Sequence, residues 1–162
     1  MKRFLLSTAL LIGCGAEPPI ADEPTAGFAA SCAIPRDVAP LEGEQNVLGG
    51  ALVTCSAELL TGFHRNGFCT TGPDDLGVHV VCAQVTEAFL RFTASEGNDL
   101  STPRGAFPGL IPGNRWCVCA SRWQDAYEAG VAPPVVLEAT SRAAVRDIPS
   151  ERLAAHAESS AP

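Results

Sequence analysis

Lysine is almost missing from this chain: Lys2 is the only one in 162 residues, and it lies in a segment that reads as removable. A mature chain without lysine cannot form a Schiff base through a lysine amine or hold a nucleotide with a P-loop lysine, so both chemistries are excluded. Positive charge is scarce altogether. Eleven Lys and Arg against 18 Asp and Glu give a formal charge of −7, and removal of Lys2 and Arg3 takes it to −7 − 2 = −9. The basic footprint of a nucleic-acid binder is therefore absent. The apolar run at Phe4 to Ile12 is too short to span a bilayer. There is no G-x-S-x-G elbow, no H-E-x-x-H, no phosphate-binding glycine loop and no internal repeat.

What is present suits one ordinary domain with appendages. Hydrophobic residues make up 46% of the chain, enough for a packed core, while 13 Pro and 15 Gly imply many turns. Met1-Lys2-Arg3 is a positive n-region ahead of the short apolar run, and Leu11-Ile12-Gly13-Cys14 has the form of a lipobox. That pattern resembles the processing site of bacterial lipoproteins. It implies a signal peptide over 1–13, a covalent lipid on Cys14, export, and attachment to a membrane of the cell envelope. Gly15 in place of Asp favours the outer membrane over the inner one. Residues 14–44 read as a Pro/Ala-rich tether, since Pro18, Pro19, Pro24, Pro35 and Pro40 interrupt any helix.

The globular part occupies 45–157, with 158–162 expected to fray. Leu52-Val53 is a short strand candidate, and Val78 to Cys82 is a β-branched, apolar strand. The stretches Thr61 to Gly67 and Gly72 to Asp75 are turns. Thr86 is a good N-cap for a helix that stops at Gly97. Trp116-Cys117-Val118-Cys119-Ala120-Ser121-Arg122-Trp123 reads as a strand turning into a helix that closes at Gly130. Regular strand spacing would put the Cys117 and Cys119 sulfurs on one face, with Cys119 just before a helix N-terminus, where a thiol is activated. Val135 to Ala139 reads as another strand, and Ser150 opens a terminal helix reaching about Ala157. Strands and helices interleave irregularly, so the predicted fold is α+β: a two-layer sandwich with a small mixed sheet and irregular loops.

From about Asn46 to Ala157 the chain resembles an uncharacterised family, the domain of unknown function 2237. The resemblance is carried by Cys55-Ser56, Thr61-Gly62-Phe63 with Arg65, Cys69 with Thr71-Gly72-Pro73, and Gly77 with His79 and Cys82. It continues through Gly97 to Pro103, Phe107 to Leu110, Trp116 to Trp123 and Ala132 to Thr140. It implies a two-layer α+β fold and no particular activity. Phe68 stands where relatives often have a second adjacent cysteine, Ser141 replaces a frequent histidine, and the loop from Pro103 to Phe107 is shortened. The lipobox and tether are also unlike most relatives, which resemble intracellular proteins.

With Cys14 acylated, six cysteines remain: Cys32, Cys55, Cys69, Cys82, Cys117 and Cys119. Buried structural thiols weigh most, ahead of disulfides and then of a metal or reactive-thiol site. Sequence alone does not select among the fifteen pairings that six cysteines allow. A metal, with zinc as the candidate ion, would take Cys82, Cys117, Cys119 and His79, although C-x-C is not the usual knuckle spacing. A thiol activity would pair Cys119 or Cys82 with His79. His64 is expected to be an exposed loop residue, and His156 to serve the dipole at the end of the last helix. Asn98, Asp99, Ser101 and Thr102 form either a self-satisfying turn or a recognition loop for a small polar ligand, and Arg122 is a candidate anion contact. Because no catalytic constellation is complete, a non-catalytic binding module with an unidentified protein or small-molecule partner leads. A thiol- or metal-dependent activity at Cys117 and Cys119 with Cys82 and His79 is the alternative.

Overall fold

The computed structural model describes residues 44–159. The signal segment, Cys14, Cys32, nearly all of the tether and residues 160–162 lie outside the described residues. The fold is α+β: a two-stranded antiparallel sheet with three helices packed about it. Strand β1 is Val81–Gln84, helix α1 Glu87–Ser95, β2 Arg115–Val118, α2 Ala120–Glu128 and α3 Ser150–Ala155. Among the described residues no helix is long and apolar enough to cross a membrane.

The sheet is small because its outer edges are completed by side chains and irregular backbone. Val81 pairs with Val118, Cys82 with Cys117 and Ala83 with Trp116. The Cys82 N–H donates outward to the Thr140 hydroxyl at 3.1 Å, and the Cys117 N–H donates outward to the Thr61 hydroxyl at 2.8 Å. Both threonines are fully buried. Cys82 and Cys117 therefore form a pair that exchanges no backbone bonds, the closer of the two antiparallel pairings. Their side chains leave the sheet together on one face. Val81, Ala83, Trp116 and Val118 occupy the other face, in the main core with Phe89, Trp123 and Leu153. Alternation along two short strands thus separates an aliphatic and aromatic core from a sulfur core of Cys55, Cys69, Cys82 and Cys117.

The helices follow their sequence signals. The Thr86 hydroxyl accepts from the Phe89 N–H at 3.2 Å, capping α1. Phe89, Leu90 and Thr93 face the core. Helix α2 buries Ala120, Trp123 and Ala126, and the Trp123 indole donates to the Pro133 carbonyl at 3.2 Å. Gly130, at φ +73°, follows its end in the left-handed conformation that glycine tolerates. Helix α3 starts at Ser150 but ends at Ala155, two residues earlier than the sequence suggests.

Three strand expectations are corrected. β1 begins at Val81 because Val78 sits at φ +49°, outside the strand region. Val135 to Ala139 is not a strand. Val135 makes only isolated bridges to Ala83 and Ala157, antiparallel and parallel respectively, and the sheet itself is antiparallel where a mixed one was expected. Leu137–Ala139 then forms a 3-10 turn, and the Thr140 hydroxyl, donating to the Val136 carbonyl at 2.9 Å, fills the rung a strand would have supplied. Leu52-Val53 forms no strand either; its neighbour Ala51 makes a single bridge to Gln45. Glu158, expected to fray, is tied down: its N–H donates to the Val135 carbonyl at 2.7 Å, and its carboxylate pairs with Arg115 at 2.6 Å.

Candidate functional site

The cysteines divide into two groups. Cys55 is bonded to Cys82 and Cys69 to Cys117, bridging 27 and 48 residues of chain. The sulfurs of Cys55, Cys69 and Cys117 lie within 4.8 Å of one another. The expectation of mostly unpaired structural thiols is overturned for these four, and for a geometric reason. Cys82 and Cys117 emerge side by side from the ladder, and each meets a cysteine from the loops of the first half of the domain. The metal set expected from the sequence is likewise divided. A sulfur in a disulfide has no thiolate to offer, so Cys82 and Cys117 are not ligands in this state. Cys119 and His79 remain together.

Cys119, half-buried, is the free thiol among the described residues. It occupies the junction where β2 has ended and α2 begins, as the residue that caps the helix without bonding it through its side chain. The first-turn amides of α2 are directed to this end, where they favour negative charge. His79 arrives from the other side. Its turn is built around Asp75, whose N–H donates to the Gly72 carbonyl at 3.0 Å and whose own carbonyl accepts from Val78 at 3.1 Å. A β-branched residue in the left-handed region, as Val78 is, is sterically costly and persists only where surrounding structure holds it. Here that conformation aims the next residue, His79, back over the turn.

Asp75 is buried and fully engaged. One carboxylate oxygen accepts from the His79 N–H at 2.8 Å and the Thr71 hydroxyl at 3.0 Å; the other meets His79 Nδ1 at 2.6 Å. Burial works against its ionised form, but these hydrogen bonds outweigh it and hold the carboxyl below its usual range. The His79 ring is raised to about 9, first by its hydrogen bond with the Cys119 sulfur and then by Asp75, against the opposing effect of burial. At neutral pH it is an imidazolium set between a carboxylate and a sulfur. Gly77 makes the contact possible: a methyl group there would stand 2.5 Å from His79 Cε1 and 3.1 Å from Cys119 Sγ.

His79 also borders a cavity of about 420 Å³. Phe63, Phe107 and Trp116 supply aromatic walls, and Arg65 and Arg104 supply charge. The Phe63 and His79 rings are nearly parallel, 19° apart with centroids 6.5 Å apart. Arg65, at φ +55°, lays its guanidinium over Trp116 at 5.2 Å.

Of the loop residues suggested by sequence, Asp99 lines this cavity. Its carboxylate accepts from the Ser101 and Thr102 amides at 2.9 and 3.1 Å and pairs with Arg104 at 3.2 Å, so the self-satisfying turn is the better description. The Asn98 N–H donates to Thr93, which closes the end of α1. Asn98, Ser101 and Thr102 do not line the cavity, and Arg122 pairs with Asp125 on the surface of α2. His64 is exposed, and His156 ends α3 with Nδ1 3.1 Å from the Arg152 carbonyl.

Sequence reasoning missed Asp75, taken only as part of a turn, and the two cavity arginines. The available signal was an acid four residues ahead of a histidine across a glycine turn, a spacing that brings the two side chains together only if the turn doubles back.

Residues 45–157 match the family described as "uncharacterized protein conserved in bacteria", the domain of unknown function 2237. The chain belongs to that family. No curated protein matches it.

Proposed function

We propose that this member of the family performs thiol-dependent chemistry, with Cys119 as nucleophile, His79 as proton carrier and Asp75 as the group that orients His79. The observation that carries this reading is the gathering of three groups in one corner: the buried Asp75 carboxylate 2.6 Å from His79 Nδ1, and the His79 ring and the free Cys119 sulfur both packed against Gly77. A carboxylate that fixes the ring and a ring that serves the sulfur is the general arrangement for activating a nucleophile. The imidazolium has a proton to give to a leaving group. This favours the thiol alternative over the non-catalytic module, and it narrows that alternative from four residues to Cys119 and His79.

The domain acts in the cell envelope in this proposal, exported by the segment before Cys14 and fastened to the membrane through a lipid on that residue. The lipobox supports this, and disulfides such as Cys55–Cys82 and Cys69–Cys117 persist in oxidising compartments. Intact-mass spectrometry of protein from its native host should show a chain that begins at an acylated Cys14.

The chemical proposal is tested by alkylation with iodoacetamide, with peptide mapping to follow Cys119 alone. Replacing His79 by Gln should slow the reaction at neutral pH by roughly 10- to 100-fold, the scale set by an ordinary thiol being only a few per cent ionised near pH 7. Asp75→Asn should slow it less. A Cys119 that reacts at the same rate with and without the His79 ring would refute the proposal.

A further inference from the structure

The cavity beside His79 has a definite chemical character. Phe63, Phe107 and Trp116 line it, while Arg65, Arg104 and His79 present positive charge to it. Against these stand Asp99 at the wall and Asp75 behind the histidine. In a chain whose net charge is −7, a positively charged hollow is selective for anions. Arg65 pairs with no carboxylate among the described residues and is held in place over Trp116. A guanidinium supported on an aromatic face keeps its donor edge free for a carboxylate. Arg104 is shared with Asp99 across an exposed contact of 3.2 Å, which competes weakly. The volume, about 420 Å³, lies in the range of small-molecule sites.

We infer that this cavity binds a small carboxylate with a flat apolar body, its head held by Arg65 and Arg104 and its body against Phe63, Phe107 and Trp116. The inference rests on the thiol reading for its meaning as a substrate site, because His79 is the side chain common to the cavity and to Cys119. It stands on its own as a statement about binding. Aromatic rings favour a flat partner in offset or edge contact, so an aromatic acid is preferred to an aliphatic one of the same charge.

The test uses the full chain titrated by calorimetry with benzoate, benzamide and acetate. Benzoate should bind at one site, and benzamide and acetate at least about tenfold more weakly, since one lacks the charge and the other the body. Arg65→Gln and Arg104→Gln should each weaken benzoate by roughly 10- to 100-fold, the scale of a lost charge-assisted hydrogen bond. Both arginines are exposed, so near-ultraviolet circular dichroism should show the fold unchanged. Failure of benzoate to bind, equal binding of benzoate and benzamide, or unaltered affinity in both arginine variants would overturn the inference. The two proposals have separate readouts, the alkylation of Cys119 for one and benzoate affinity for the other. Tight benzoate binding together with an unreactive Cys119 would remove the chemistry and leave the anion site; a reactive Cys119 with no benzoate binding would do the reverse.

Discussion

Raising the pH should weaken the fold through His79, and the structure sets both the window and the size of the effect. The ring moves from its ordinary 6.5 to about 9 on folding, with the Cys119 sulfur as the largest cause and Asp75 next. Between those values the folded chain holds a proton that the unfolded chain has released, so stability falls as pH rises. The contribution is fully present below about 6.5 and is lost as pH passes through about 9. At 1.36 kcal/mol per pH unit the gap corresponds to ~3.4 kcal/mol. The ring is 35% exposed, and solvent screening brings the expected value down to about 1–2 kcal/mol. Urea unfolding followed by tryptophan fluorescence should show this loss between pH 6 and pH 10. His79→Gln should remove it, and Cys119→Ala should remove more of it than Asp75→Asn if the sulfur is indeed the larger influence. Asp75 acts at the opposite end, where its contribution is lost as pH falls through its lowered value. A direct NMR titration decides the matter: a His79 ring that titrates near 6.5 would refute the reasoning, whatever the unfolding curves show.

Thr140→Val keeps the shape of the residue but removes the acceptor of the Cys82 N–H and the donor to the Val136 carbonyl. It should destabilise the protein by about 1–3 kcal/mol in chemical unfolding, the cost of leaving the buried Cys82 N–H without a partner, since the Val136 carbonyl still accepts from Ala139. Gly77→Ala should cost a similar ~1–3 kcal/mol through overpacking, and should also slow Cys119 alkylation, because the new methyl drives the His79 ring from the sulfur. Replacing Cys55 and Cys82 together by Ala should cost about 3.6 kcal/mol, and Cys69 with Cys117 about 4.1 kcal/mol, by the chain-entropy relation for loops of their lengths. Peptide mapping of the oxidised protein should find Cys119 labelled before reduction and those four cysteines only after it.

The helices were legible because their determinants are local. The Thr86 cap, the apolar side of α1 and the glycine after α2 are read from a few adjacent residues, and each lies close to where the sequence places it. The strands were legible only in part. Nothing in Val78-His79-Val80 announces a left-handed valine, since the turn that imposes it is tied by Asp75 and by the Ala120 N–H, which donates to the Val78 carbonyl from across the sheet. Thr140 likewise replaces a strand rung only because Cys82, 58 residues earlier, points its N–H there. The disulfide pairing was beyond reach for the same reason: it depends on which loops the ladder faces. Within the candidate site, Cys119 and His79 were visible as chemistry, but Asp75 resembled any acid in a turn until its partners were in place.

The arrangement of the sheet explains why two cysteines one residue apart serve different ends. On an uninterrupted strand, Cys117 and Cys119 would point the same way and the free thiol would face the sulfur core. The ladder instead ends at Val118 and α2 begins at Ala120, so Cys119 lies in the corner between them. Its sulfur is beside Gly77 and His79, whereas that of Cys117 is beside Gly62 and bonded to Cys69. Gly62 is required on its side, since any Cβ there would collide with the Phe68 carbonyl, and on the other side a Cβ at Gly77 would press on the His79 ring. Each sulfur thus has its own glycine-lined recess. The disulfides fix the ladder, the end of the ladder fixes the corner, and the corner delivers one thiol to a histidine whose other nitrogen is already held. The place of Cys119 beside His79 is in this sense a consequence of where pairing stops, which makes the length of β2, more than any single side chain on it, the feature that separates the paired sulfur from the free one.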